Sequence, residues 1–170
     1  MDLARRVYDC AHITGTFTLR SGATSNEYFD KYLFEADPVL LKDIAVALAD
    51  LVPVDAVDAL AGLEMGGIPI VTMLSQVSGV PARFVRKKAK EYGTAKLAEG
   101  GPLAGQRLCV VEDVVTSGGQ VVESCEALRA AGAEIVRVVC VIDREAGGRE
   151  NLAAADLDLH ALFTMTQLKP

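Results

Sequence analysis

The sequence predicts an α/β fold, a mostly parallel central sheet flanked by helices, and two observations carry that expectation. From about residue 53 onward the chain repeats a rhythm of strand, loop and helix, and its short apolar runs are apolar almost throughout rather than at alternate positions. Strands of that kind are buried on both faces, which is the signature of a parallel sheet covered by helices on each side. The second observation is size: 170 residues suffice for one well-buried core and fall short of two ordinary domains.

The elements follow in order. Residues 2–11 read as a short helix with Leu3, Val7 and Cys10 turned inward. Residues 16–22 read as a strand entering a turn, and the aromatic, partly alternating stretch 28–32 as its return strand, which together make a hairpin. Asp37-Pro38 has the form of an N-cap followed by proline at the first helical position, and Leu40, Leu41, Ile44, Leu48 and Leu51 continue at helical spacing. Strands are then expected at 57–61, 82–86, 107–111, 135–142 and 157–163, with helices at 68–77 and 116–131 and Gly132 as a C-terminal stop. Ligands of such sheets bind outside the carboxyl ends of the strands. Gly62, Lys87 and Glu112 open the segments that leave those ends, so a single pocket is expected there. No internal repeat, low-complexity tract or interdomain linker interrupts the pattern.

Composition narrows the classes of function. Hydrophobic residues at 51% against 24% charged match a compact globular protein. A net charge of −6 argues against a general nucleic-acid binder, which carries a basic face. No apolar run approaches the roughly 18 residues of a membrane span, and the first residues lack an apolar stretch of signal-peptide length; a cytoplasmic protein is expected. Cys10, Cys109, Cys125 and Cys140 lie far apart with no CxxC pair, so reduced core thiols are expected and no metal ligands are assigned. His12 and His160 have no partner motif and are read as incidental. The cations, however, are clustered: Arg83, Arg86, Lys87, Lys88, Lys90 and Lys96 fall in one short segment, which fits a pocket for a small anion.

Five segments carry chemistry. In residues 108–119 a buried strand delivers Glu112 and Asp113 and then the small, hydroxyl-rich turn Thr116-Ser117-Gly118-Gly119 opening a helix. Backbone N–H groups, two hydroxyls and a helix N-terminus there suit a phosphate, and the paired carboxylates suit adjacent ribose hydroxyls. Arg86 closes a strand, and Lys87-Lys88-Ala89-Lys90 open the stretch 87–105, a loop long enough to be a lid. A charge run is usually a solvated face, but this one follows a core strand on the edge that should hold an anion. The third segment is the hairpin with Arg20, Tyr28 and Phe29; the fourth is Asp143-Arg144-Glu145 at the end of a buried strand, where a planar guanidinium can grip a carboxylate bidentately. The fifth, Gly62-Leu63-Glu64-Met65-Gly66-Gly67, has glycines that let a backbone approach an anion closely.

Together these segments resemble the type I phosphoribosyltransferases, and from Phe17 to about Glu150 the chain is similar to the orotate phosphoribosyltransferases among them. The resemblance implies that fold with an N-terminal hairpin hood over the base, a single domain with the hood at about 1–36, the core at about 37–170 and a flexible lid at about 87–105. It implies transfer of phosphoribose from phosphoribosyl pyrophosphate (PRPP) to orotate, with Mg²⁺ bound mainly through PRPP, in a homodimer whose lid closes over the neighbouring subunit's pocket. By position, Arg86, Lys87, Glu112, Asp113, Val114, Val115, Thr116, Ser117, Gly118 and Gly119 would bind PRPP. Arg20, Tyr28, Phe29, Thr116 and Arg144 would bind orotate, and Lys90 and Asp113 would be catalytic. Relatives often have Thr or Ser where Gly119 stands, some have Lys at the position of Gly66, and many bacterial members have His in place of Tyr92, so Tyr92 is given no proton-transfer role. A phosphoribosyltransferase for another base and a PRPP-sensing regulator are the alternatives; Arg144 and the lid lysine, respectively, speak against them.

Overall fold

The computed structural model of the chain describes residues 2–19, 22–89 and 96–169. Helix α1 (Leu3–Ala11) leads into a two-stranded antiparallel hairpin, β1 (His12–Thr18) and β2 (Thr24–Phe29), followed by α2 (Lys31–Ala36) and α3 (Pro38–Ala49). The core comprises β3 (Ala59–Leu63), α4 (Gly67–Ser78), β4 (Ala82–Val85), β5 (Ala98–Glu99), β6 (Arg107–Val115), α5 (Gly119–Ala130), β7 (Glu134–Asp143), α6 (Gly148–Ala154), β8 (Leu159–Thr164) and α7 (Met165–Leu168). Its six strands lie in the order β5-β4-β3-β6-β7-β8, all pairs parallel except the β4–β5 edge. Among the described residues no helix is long and apolar enough to cross a membrane.

The unbroken apolar runs are explained by burial on both faces. Cys109 and Val111 of β6, with Val139 and Val141 of β7, join a core shared with α1, α3 and α4. The intervening Leu108, Val110, Val138 and Cys140 join a second core under α5 and α6. Asp37 caps α3 as expected, accepting from the N–H groups of Val39 at 3.0 Å and Leu40 at 2.8 Å with Pro38 at the first position.

Several local expectations are corrected. The inward line of α1 is Ala4, Val7 and Ala11, while Leu3 and Cys10 sit on its flanks, because two alanines let the helix approach its neighbours closely. The stretch 28–32 is not one strand: Asp30 accepts from the Tyr32 N–H at 3.1 Å and starts α2, so Lys31 and Tyr32 are helical. Strand β6 does not stop at Val111 but stays paired with β7 as far as Val115, which puts Glu112 and Asp113 inside the ladder. Within the expected long loop, Ala98 and Glu99 pair with Val85 and Phe84. Helix α6 was not foreseen.

Candidate active site

The carboxyl ends of β3, β4, β6 and β7 share one edge of the sheet. At β6 the chain leaves the ladder at Val115, exposes Thr116 and Ser117, and turns through Gly118, whose φ of +78° favours glycine, into α5. Helix α6 braces this turn. A Cβ on Gly118 would lie 2.3 Å from Leu152 Cδ1, one on Gly148 would lie 2.6 Å from the Thr116 carbonyl, and Asn151 Nδ2 donates to the Ser117 carbonyl at 2.8 Å. Glu112, Thr116, Ser117 and the first turn of α5 border a cleft of about 150 Å³. The leading N–H groups of a helix have no intrahelical partner, so this cleft is suited to a phosphate.

The two acids of β6 differ. Glu112 borders the phosphate cleft, whereas Asp113 is fully buried and packed between α2 and the turn after β3. Asp113 Oδ1 accepts from the Val114 N–H at 2.6 Å, and Lys31 Nζ stands 2.5 Å from Oδ2. Burial works to raise Asp113, yet hydrogen bonds with Glu112 and Lys31, and the lysine's charge, outweigh it and hold the carboxyl below its ordinary value. Glu112 is pushed well above the usual carboxylate range, by burial first and then by Asp113 beside it. Burial also acts to lower Lys31, but contact with Asp113 prevails and raises it. Behind Asp113 lies Glu35 of α2, 6% exposed. Sequence reasoning missed Lys31 and Glu35. Their i, i+4 spacing puts them on one helix face, but the strand reading of residues 28–32 hid it.

Tyr28, Phe29, Lys31, Val114, Thr116 and Arg144 line a neighbouring cleft of about 190 Å³. Arg144 is held by its backbone, whose N–H donates to the Val115 carbonyl at 2.9 Å, and its side chain is exposed. The structure therefore brings Tyr28, Phe29, Thr116 and Arg144 to one cleft; Arg20 lies outside the described residues. A second cavity under the hairpin also touches Arg144 and is lined by Tyr8, His12 and Glu27. The histidines are not without partners: His12 stacks on Tyr8 at 4.8 Å and meets Glu27 at 2.8 Å, and His160 meets Asp158 at 2.7 Å.

The cationic segment divides by role. Arg83 is buried, with its guanidinium donating to the carbonyls of Ala82 and Pro102, so it pins the returning loop rather than facing a ligand. Arg86 is half-buried, 3.6 Å from Glu99, and Lys87 and Lys88 are exposed. The Lys87 N–H donates to Glu64 Oε1 at 2.5 Å, tying the basic segment to the turn after β3. Lys90 and Tyr92 lie outside the described residues. In the turn itself, Gly62 and Gly67 are required by packing: a Cβ would lie 2.4 Å from Val71 Cγ1 at the first and 2.6 Å from the Val111 carbonyl at the second. Cys109, Cys125 and Cys140 are buried free thiols, and burial raises all three, Cys109 and Cys125 to about 12.

The fold and the sequence are shared with known proteins. The family profile described as phosphoribosyl transferase domain matches residues 35–157. An orotate phosphoribosyltransferase of a Nocardioides species is 53% identical over 98% of this chain and 92% of its own length. The crystal structure of Mycobacterium tuberculosis orotate phosphoribosyltransferase in complex with Fe(III) dicitrate superposes with a TM-score of 0.89 at 29% identity, covering 99% of this chain and 97% of that one. The same mycobacterial protein in complex with PRPP gives a TM-score of 0.83 at 27% identity over 98% and 96%.

Proposed function

The chain belongs to the orotate phosphoribosyltransferase family of type I phosphoribosyltransferases, and on that premise we propose how its residues transfer phosphoribose from PRPP to orotate. The products are orotidine 5′-monophosphate and pyrophosphate, a step of pyrimidine nucleotide biosynthesis. The observation that supports this most is the cleft shared by Arg144 and Thr116, which joins a guanidinium for an acceptor's carboxylate to the turn suited to a phosphate.

In this reading the 5′-phosphate of PRPP sits on the N–H groups and hydroxyls of the turn 116–119, approached also by Val114 and Val115. Glu112 accepts a ribose hydroxyl at the border of the cleft, while Asp113, fully buried behind it, acts through its charge. Cleavage of the anomeric C–O bond builds positive charge on the sugar, as in glycoside cleavage, and Asp113, ionised beside Lys31, is the fixed negative charge that favours it. Arg86, Lys87 and Lys90 receive the departing pyrophosphate. Arg144 and Arg20 hold orotate, with the backbone of Tyr28 and Phe29 against the ring.

Mg²⁺ neutralises the pyrophosphate when bound. Asp113 is already engaged by Lys31 and the Val114 N–H, and among the described residues no group of three or more acidic, His or Cys side chains is arranged for a metal. The hard oxygen donors that suit the ion would come from PRPP and water. A lid shorter than the expected 87–105, because Ala98 and Glu99 are paired in the sheet and Pro102 is held by Arg83, would exclude water on closing over the neighbouring subunit's pocket of a cytoplasmic homodimer.

Purified protein with PRPP and Mg²⁺, offered a panel of bases, tests this. Orotate should be consumed, and adenine, hypoxanthine and uracil should react far more slowly. Comparable turnover of an uncharged base would remove the orotate assignment and leave the PRPP site standing.

A further inference from the structure

Asp113 is touched by a second carboxyl that no part of the mechanism above uses. Glu35 is buried near the end of α2, and neither of its oxygens meets an N–H or O–H donor among the described residues. A Cβ built on Gly66 would lie 3.1 Å from Glu35 Oε1 and nearer still to Asp113 Oδ2, so the two carboxyls face each other across this glycine. Two carboxyl groups in contact and out of water do not both ionise; one keeps a proton and donates it to the other.

The surroundings decide which. Asp113 has the Val114 N–H on one oxygen and the Lys31 ammonium against the other. Glu35 has neither contact; burial, Asp113 and Asp30 oppose its ionisation, while the charge of Lys31 favours it. We propose that Glu35 keeps its proton at neutral pH and donates it to Asp113, making Glu35 the positioning residue that fixes this carboxylate for the sugar. Burial first, and then the hydrogen bond with Asp113, push the Glu35 carboxyl up to about 9, in keeping with the geometry.

The arrangement also has an electrostatic use. With Glu35 protonated, the buried pair behind Glu112 carries one negative charge rather than two, beside the ammonium of Lys31. A further ionised carboxyl there would add to the repulsion of an incoming polyanion. The positioning role rests on the reading of Asp113 as the buried charge that favours the sugar's transition state; the proton itself does not.

Two measurements test the proposal. In the infrared difference spectrum of the unliganded proteins at pH 7, wild type should show a protonated-carboxyl carbonyl band that Glu35→Gln lacks. In kinetics, Glu35→Ala should lower kcat by ~10-fold or more, as for loss of a preorganised contact, with a smaller change in KM. Glu35→Gln, whose amide can still donate to Asp113, should recover most of that loss. Absence of the band in the wild type, or a folded Glu35→Gln as impaired as Glu35→Ala, would overturn the proposal. Because the band requires no substrate, finding it in a protein inactive on orotate would support the shared proton and defeat only the acceptor assignment.

Discussion

A side chain at position 66 and the carboxylate of Asp113 would occupy the same space: an ideal Cβ on Gly66 falls 1.6 Å from Asp113 Oδ2 and 2.4 Å from its Cγ. The turn after β3 is thereby fitted to the acid in β6, and Asp113 owes its closeness to Glu35 and Lys31 to that fit. The lysine found here in some relatives has no room in this chain unless Asp113 moves.

Gly66→Ala should therefore displace Asp113. Overpacking of this kind costs about 1–3 kcal/mol, and a misplaced charge-stabilising group should lower kcat by ~10- to 100-fold. Denaturant melts and steady-state kinetics check both effects. Unaltered turnover would show that the carboxylate shifts without consequence.

Arg144→Ala should act on orotate rather than on PRPP. A hydrogen bond to a charged group contributes about 1.5–3 kcal/mol, so KM for orotate should rise by roughly 10- to 100-fold. Lys90→Ala should instead act mainly on kcat. If the lid serves the neighbouring subunit, mixing the two variants under subunit exchange should restore some activity, since some heterodimers regain one intact site. No recovery, with heterodimers shown to form, would place Lys90 in its own subunit's site or in none.

Gly119 has open space where a Cβ would stand. Gly119→Thr should fold normally and present a hydroxyl to the phosphate cleft. A net hydrogen bond of about 0.5–1.5 kcal/mol would lower KM for PRPP by roughly 2- to 10-fold. A KM that rises would mean the phosphate uses the space itself.

Glu35 gives a pH dependence whose sign can be worked out. Its ordinary value is 4.5, and the folded protein raises it to about 9. Between those values the unfolded chain has released the proton and the folded chain retains it, so the folded state binds more protons and stability falls as pH rises. The penalty is absent well below 4.5 and complete above about 9. Glu35→Gln, which does not ionise, should gain on the wild type progressively across that window. Denaturant midpoints of the two proteins from acid to alkaline pH test this; a gap independent of pH would contradict it.

What the sequence made legible was local and repetitive. Parallel strands buried on both faces write themselves as apolar runs, and Asp37-Pro38 announces α3 because a cap and a proline act within one turn. The turn 116–119 could be read for the same reason. What stayed hidden depended on contacts distant in the chain. Nothing near Asp113 in sequence points to Lys31 or Glu35, and the alternation of Tyr28, Asp30 and Tyr32 ran across the cap that ends β2. Gly62 and Gly67 looked like anion-binding glycines, although packing against Val71 and the Val111 carbonyl accounts for both. A two-residue strand such as β5 has no periodicity to detect.

Helix α6 touches the turn 116–119 through Gly148, Asn151 and Leu152. The turn therefore keeps its shape only while residues 148–154 stay docked, and local opening of that helix competes directly with phosphate occupancy. By mass action, saturation with a phosphate ligand should slow amide hydrogen exchange in α6, although the helix is absent from the border of the cleft. A core substitution as remote as Leu152→Ala would then surface as weakened ligand affinity before it surfaced as global unfolding.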